Sequence, residues 1–295
     1  MILSDKNPEI TFRKWVKYFL DIFIHRYIYL GLCTAGLTYF TYFSLALPID
    51  ILYVASILSG TFLIYNYHSF FSLSPKMLID QLIKSPLIIL YLISTVFLLV
   101  LSISVTYVWI LLLALVIVMG YYSVGVFKNY TFRKSWIKPL SIGIVYALIT
   151  LTYPAATAHL PWLLILSLTL ERIVFIAALA LIFDVGDVEK DRLEVHPTVP
   201  TLLGVRTSIV IAILWVVLAC IVNIYAFSEH WVKQINFYAL LVTYLVAVIL
   251  FISASPLHRK SFYLVYVDGM IGLPFIIFLF AQWMQWILFE IIFHI

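Results

Sequence analysis

Long apolar runs separated by short polar segments make up most of the chain. Nine of these runs approach the ~20 residues that a helix needs to span a bilayer, and they lie at residues 27–47, 50–72, 86–104, 106–125, 138–158, 161–184, 206–227, 236–255 and 263–290. Ser102, Ser104 and Thr106 interrupt the apolar stretch between residues 86 and 125 and predict a tight turn there. The pattern predicts an all-α polytopic membrane protein, a bundle of nine transmembrane helices.

Composition agrees with this pattern, because 64% of the 295 residues are hydrophobic and 11% are charged. A soluble globular protein has about 25% charged residues, so the composition excludes that class. We expect the lipid bilayer among the partners and no nucleic acid. Cys33 and Cys220 both lie inside apolar runs without the spacing of a metal or redox motif, and we interpret them as packing residues.

Lysine and arginine residues test the span count independently. With a cytoplasmic N-terminus, sixteen of them fall in cytoplasmic segments, Lys233 falls in an outer loop and Arg172 lies within a span. An excess of positive charge on one side is typical of cytoplasmic loops. We therefore expect nine spans with the N-terminus in the cytoplasm, and a bacterial inner membrane as the location.

Residues 1–26 mix charged and aromatic side chains ahead of the first span. They predict an N-terminal interfacial amphipathic segment, with Trp15 and Phe19 toward the acyl boundary and Arg13 and Lys17 toward the headgroups. An ordinary helix packed on the bundle is the alternative. We divide the chain into this segment and a single transmembrane domain that covers residues 27–295.

Three aspartates follow the apolar run that ends at Phe183, namely Asp184, Asp187 and Asp191. On a helix, with about 100° between consecutive residues, they fall within an arc of roughly 60°. Like charges so placed repel one another and weaken a helix. We therefore expect a cation at this face, most simply a divalent metal, since carboxylate oxygens bind such ions.

Charged residues also occur inside predicted spans, where they are costly and usually either paired or functional. Glu171 and Arg172 lie in the sixth span, and we interpret them as a mutual or inter-helix ion pair. Asp268 lies in the last span and is either a structural partner or a pocket residue.

The aspartates belong to a longer pattern. The stretch DVGDVEKDR at residues 184–192, followed by TVPTLLG at residues 198–204, resembles the second aspartate-rich motif of the UbiA superfamily of intramembrane prenyltransferases. Nine spans, Lys138-Pro139 at the start of the fifth span and Asp268-Gly269 in the last are similar to that family too. The resemblance covers essentially the whole chain and implies a UbiA-like nine-helix transmembrane domain.

The first aspartate-rich motif of the family is degenerate here. The stretch NYHSFFSLS, which begins at Asn66, stands where the family has Asn-Asp-xx-Asp-xxx-Asp. Asn66 is kept, whereas Tyr67, Phe70 and Ser74 occupy the aspartate positions. In the family the two motifs face each other and bind a Mg²⁺-bridged prenyl diphosphate, so half of that carboxylate set is absent from this chain.

The resemblance implies a role for each candidate residue. Asp184, Asp187 and Asp191 would hold Mg²⁺, the expected cofactor, with Asp187 and Asp191 as catalytic residues. Lys138 would be catalytic by neutralising the charge that grows on the leaving diphosphate. Substrate-binding residues would be Asn66, His68, Asp184, Arg133, Lys134, Tyr146 and Tyr153. The alternatives are that the basic residues only set the topology and that Asn66 and His68 are interfacial polar residues.

The leading hypothesis is a Mg²⁺-dependent UbiA-type prenyltransferase of isoprenoid biosynthesis, with an active site facing the cytoplasm. It would transfer a prenyl group from a polyprenyl diphosphate to an aromatic or other lipophilic acceptor. A UbiA-type terpene cyclase and a non-catalytic isoprenoid-binding pseudoenzyme are the alternatives. A transporter is disfavoured because the acidic residues gather on one membrane face.

Overall fold

The computed structural model of the protein describes residues 23–24, 27–68, 86–123, 136–193 and 198–293. Within these residues the chain is helical and contains no β-strand. The predicted all-α fold class is therefore confirmed. The amphipathic segment predicted for residues 1–26 lies almost entirely outside the described residues and stays a prediction.

The helices follow one another through short connections. They are α1 (Ile28–Ser44), α2 (Ile51–His68), α3 (Pro86–Ser102), α4 (Val108–Ser123), α5 (Ile137–Thr157), α6 (Trp162–Gly186), α7 (Val188–Leu193), α8 (Val199–Leu203), α9 (Val205–Ser228), α10 (Gln234–Ser253) and α11 (Lys260–Phe262 continued by Asp268–Phe293). A π-helical turn interrupts α5 at Leu148–Thr152 and α11 at Tyr263–Val267. Single π turns within α-helices are frequent at functional sites.

Several of these helices are long and apolar enough to cross a membrane. In the described residues five helices meet that description alone, namely α5, α6, α9, α10 and α11. A short 3₁₀ turn, Val105–Tyr107, joins α3 to α4, and the axes of the two helices differ in direction by 110°. Taken together as one bent span, α3 and α4 are a sixth candidate. This confirms the turn predicted near Ser102. The protein is an integral membrane protein, while the nine spans and the cytoplasmic N-terminus stay predictions.

The helices form a closed circuit of neighbours. Most consecutive long helices pack side by side, and α11 packs against α1, which closes the bundle. Among the five long helices, α6 is the most buried, and it packs against α5 on one side and α9 on the other. Small residues on α6, including Ala177 and Ala178, are fully buried. Small side chains let membrane helices approach closely, so they explain the central position of α6.

The predicted ion pair between Glu171 and Arg172 is confirmed. Arg172 Nε lies 3.9 Å from Glu171 Oε2, and both side chains are buried. The Tyr244 hydroxyl of α10 donates a hydrogen bond to Glu171 Oε1. Arg172 donates to Thr150 Oγ1 in α5 at 3.1 Å and to Thr41 Oγ1 in α1 at 3.4 Å. The pair on α6 thus joins four helices within the bundle.

Replacing Gly143 by alanine is expected to lower the free energy of unfolding by about 1–3 kcal/mol. A Cβ atom at this position would lie 2.5 Å from the carbonyl oxygen of Ile173, so α5 and α6 would have to move apart. The control is Gly60→Ala in α2, where the new Cβ would lie 3.5 Å from Thr95 Cγ2, an ordinary contact. Unfolding in mixed detergent–SDS micelles measures both variants, and equal stabilities would contradict the close approach.

Candidate active site

A cavity of about 410 Å³ lies between α2, α4, α5, α6 and α11. The residues at its polar end come from the starts of α5 and α11, from the turn after α6 and from α7, and they include Lys138, Asp187, Lys190 and Lys260. The rest of the wall is apolar, with Ile117, Val145, Ile149, Ile176, Leu179 and Ile271 among its residues. Its volume falls in the range of small-molecule sites. The shape suits a ligand with one charged end and an apolar chain.

Lys138 and Asp184 form an ion pair beside this polar end. Lys138 Nζ contacts Asp184 Oδ1 from α5 to α6, and the Asp184 side chain is fully buried while that of Lys138 is 26% exposed. Lys138 lines the cavity and Asp184 does not. In the structure, Lys138 compensates the charge of the buried Asp184 carboxylate. This role is separate from the predicted neutralisation of diphosphate charge.

Asp187 and Asp191 lie on either side of a break in the helix. α6 ends at Gly186, Asp187 occupies the turn, and the Asp191 N–H donates to the Asp187 carbonyl at 2.9 Å within α7. The three aspartates therefore do not share the uninterrupted helix that was predicted. The ring of Tyr263 packs on Gly186 so closely that an added Cβ would lie 2.5 Å from it. Asp187 lines the cavity, whereas Asp191 is half-buried and is not part of the cavity wall.

The acidic residues fit one metal ion shared with a ligand and do not fit a cage made by the protein alone. In the described part of the chain no three His, Cys, Asp or Glu side chains are grouped as metal ligands. Asp184 Oδ2 is buried, and none of the described residues donates a hydrogen bond to it. Mg²⁺ typically takes one or two carboxylates together with substrate phosphates. Asp187 and Asp191 could supply those carboxylates.

Two lysines of the polar end were not predicted as site residues. In the sequence they contributed only to the excess of positive charge that predicts the orientation in the membrane. Lys190 lies in α7, three residues after Asp187, and Lys260 begins α11. Both line the cavity. Positive charge from three separate elements (Lys138, Lys190 and Lys260) thus surrounds the same opening. The sequence contained no signal that would have separated these two lysines from the other basic residues of the loops.

Three tyrosines form one wall of the cavity, and we call Tyr27, Tyr65 and Tyr146 the tyrosine wall. The rings of Tyr27 and Tyr65 are 5.2 Å apart, and the Tyr65 and Tyr146 hydroxyls are 3.2 Å apart. Tyr27 directly precedes α1 and lines the cavity together with Asp187 and Asp268. Tyr146 lines the cavity, and its predicted role in substrate binding stays a prediction.

Tyr153 lies elsewhere, which corrects its predicted place in the isoprenoid cavity. Its hydroxyl accepts a hydrogen bond from the Ser104 N–H at 2.7 Å, and its ring stacks on that of Tyr53 with centroids 4.8 Å apart. Ser104 lies at the bend between α3 and α4. Tyr153 therefore supports the bend, because the π turn that precedes it in α5 changes which side of the helix it occupies.

The other predicted substrate-binding residues fall where the structure is not described. Asn66 and His68 belong to the last turn of α2, but their side chains lie outside the described residues. Arg133 and Lys134 lie outside the described residues altogether. Their predicted roles stay predictions.

The segment after the second acidic stretch forms a compact entrance to α9. Thr198 and Thr201 make a reciprocal capping box at the start of α8, and the Thr198 N–H donates to Thr201 Oγ1 at 2.8 Å. Such boxes satisfy backbone donors that a helix start leaves unpaired. Gly204 has φ of +85°, a conformation that favours glycine, and it separates α8 from α9. The TVPTLLG motif therefore sets a sharp corner next to α7.

Comparisons with known proteins agree with this architecture. No family model matches the sequence, and no curated protein matches it. Among solved structures, the chain is similar to the apo structure of a UbiA homolog from Aeropyrum pernix K1, with a TM-score of 0.58 and 16% sequence identity. The similarity covers 86% of this chain and 97% of that one. The chain therefore has the UbiA fold, and its predicted resemblance to the UbiA superfamily is confirmed at the level of the fold.

Proposed function

We propose that the protein is a UbiA-type intramembrane prenyltransferase that takes a prenyl diphosphate and a lipophilic acceptor. The observation that carries this proposal is the cavity, which is charged at one end and apolar along the rest of its length. A prenyl diphosphate has the same distribution of polarity. The UbiA-like fold supports the assignment at the level of the family.

The charged end provides groups for the diphosphate. Lys190 and Lys260 line it together with Lys138, so positive charge is available where the leaving oxygen becomes negative. Asp187 and Asp191 would hold Mg²⁺, which when bound neutralises diphosphate charge and polarises the bond to the leaving oxygen. The apolar wall excludes water from the prenyl chain, and the tyrosine wall presents ring faces that attract positive charge.

The degenerate first motif supports a second candidate, a non-catalytic isoprenoid-binding protein. Tyr67, Phe70 and Ser74 stand at positions where UbiA-type enzymes are expected to supply carboxylates. Losing these ligands weakens the case for turnover and leaves the apolar part of the cavity intact. The two candidates differ in one measurable respect, because only the enzyme releases diphosphate.

Replacing Asp187 by asparagine is expected to lower Mg²⁺-dependent diphosphate release by at least about 100-fold, as loss of one group that stabilises a developing charge commonly does. The purified protein in proteoliposomes is offered a panel of prenyl diphosphates with and without acceptor lipids, and inorganic diphosphate and prenyl products are measured. The control is Glu229→Gln, an exposed carboxylate after the far end of α9.

The outcomes separate the candidates. Turnover that survives Asp187→Asn or removal of Mg²⁺ would overturn the proposed site. Saturable binding of a prenyl diphosphate with no release of diphosphate would identify the pseudoenzyme. Cyclic hydrocarbon products formed without acceptor would identify the terpene cyclase.

A further inference from the structure

The carboxylate of Asp268 lies in the cavity, and none of the described residues pairs with it. It belongs to α11, directly after the π turn Tyr263–Val267, and it lines the cavity beside Val267 and Ile271. In the described part of the chain no hydrogen bond or ion pair reaches it, whereas Asp184 has Lys138 and Glu171 has Arg172. An uncompensated carboxylate inside a membrane bundle is costly and marks a functional position.

The position of Asp268 along the cavity follows from the packing of α11 on α6. Tyr263 lies level with the end of α6, because its ring packs on Gly186 and lies 5.9 Å from that of Phe183. Asp268 follows five residues later, so it lies roughly 7 Å deeper along the helix axis. A diphosphate at Asp187 would therefore place its first carbons, and not its phosphates, beside Asp268.

The surroundings of Asp268 agree with this depth. Asp268 lines the same cavity as Tyr27 and Asp187. The tyrosine wall continues from Tyr27 through Tyr65 to Tyr146 and faces the same part of the cavity. Among the described residues, this zone combines a carboxylate without a hydrogen-bond or ion-pair partner with the faces of aromatic rings, and both attract positive charge.

We propose that Asp268 stabilises the allylic cation that forms when a prenyl diphosphate ionises in this cavity. In that step the bond between the first prenyl carbon and the leaving oxygen breaks, and its electron pair departs with the diphosphate. Positive charge is then shared between the first and third prenyl carbons, within reach of Asp268. The inference rests on the proposed function and adds a residue from the last helix to the site.

The test compares two diphosphate probes by binding alone. One probe is geranylgeranyl thiodiphosphate, and the other carries an ammonium nitrogen in place of a carbon that becomes cationic. Wild-type protein with Mg²⁺ is expected to prefer the ammonium probe by at least about tenfold, since attraction between opposite charges at a few ångströms in a partly buried site exceeds that. Asp268→Asn should remove most of this preference, measured as the ratio of the dissociation constants of the two probes.

Matched variants make the result specific. Asp187→Asn should weaken the binding of both probes, and Glu229→Gln should weaken the binding of neither. Asp268→Ser is a second uncharged variant, and it is used instead of Asp268→Asn if that variant does not fold. Stability without ligand should not fall in either Asp268 variant, because no hydrogen bond or ion pair from the described residues to the carboxylate would be lost. A purely structural role would instead lower the unfolding midpoint without ligand.

The outcomes distinguish this inference from the proposed function. Thiodiphosphate binding with no preference for the ammonium probe, or a preference that survives in both Asp268 variants, would overturn the role of Asp268 and leave the proposed function standing. An equal loss of binding affinity for both probes in Asp268→Asn would place Asp268 in the diphosphate site and would also overturn the inference. Failure of the wild-type protein to bind either probe would overturn the proposed function itself.

Discussion

Replacing Lys138 by methionine is expected to lower the free energy of unfolding by about 3–5 kcal/mol, the usual result of removing one partner from a buried ion pair. Asp184 is fully buried, and Lys138 is its ion-pair partner. The other carboxylate oxygen receives no hydrogen bond from the described residues. Without Lys138 the carboxylate must remain charged in an apolar bundle or take up a proton, and both are costly.

A double-mutant cycle isolates the pair. Asp184→Asn alone should cost less than Lys138→Met, because Lys138 is 26% exposed and can reach water. The double variant Lys138→Met with Asp184→Asn should recover most of the stability lost by Lys138→Met. Unfolding in mixed micelles measures all four proteins, and Lys233→Met provides an exposed lysine as control. A Lys138 variant no weaker than the Lys233 control would show that Asp184 does not depend on Lys138.

The same variants assign a role to Asp184. The resemblance to UbiA enzymes predicts it as a metal ligand, whereas the structure holds it against Lys138 and away from the cavity wall. If Asp184 mainly positions Lys138, Asp184→Asn should keep Mg²⁺-dependent thiodiphosphate binding that Asp187→Asn loses. Equal loss in both variants would restore Asp184 as a ligand.

Hydropathy and charge sufficed to predict the helices, because each helix satisfies a local rule. The apolar run from Trp162 to Phe183 is as long as a bilayer span, and Ser102 and Ser104 interrupt an apolar stretch where a bend is found. The acidic motif was recognisable because its residues lie within eight positions of one another. The local sequence was therefore enough to predict that Asp187 lies near the end of α6.

The rest of the site depends on contacts between distant parts of the chain. Lys138 and Asp184 are 46 residues apart, and nothing in either segment specifies the pairing. Lys260 and Asp268 join the site only because α11 packs against α1 and closes the bundle. Tyr263 of α11 also occupies the space beside Gly186, next to the break at Asp187, and this contact again joins distant parts of the chain. Packing of this kind leaves no periodic trace in the sequence.

The second large effect on stability is expected at Arg172, in the interior of the bundle away from the polar end of the cavity. Arg172→Met is expected to lower the free energy of unfolding by about 3–5 kcal/mol, since it leaves the Glu171 carboxylate buried without a cation. The variant also removes the donors to Thr150 and Thr41, so contacts from α6 to α5 and α1 are lost together. Unfolding in mixed micelles measures the loss against Arg206→Met, an exposed arginine at the start of α9.

Two further variants separate charge from hydrogen bonding in this network. Tyr244→Phe removes one donor to Glu171 and should cost only about 0.6–1.7 kcal/mol, the range for hydrogen bonds between membrane helices. The double variant Glu171→Gln with Arg172→Met should be more stable than Arg172→Met alone, because no buried charge remains. If Arg172→Met costs no more than the Arg206 control, water or lipid headgroups must reach Glu171, and the interior of the bundle is wetter than its packing indicates. A loss near 3–5 kcal/mol that Glu171→Gln relieves would instead show that α1, α5, α6 and α10 are held together by a charge pair isolated from solvent.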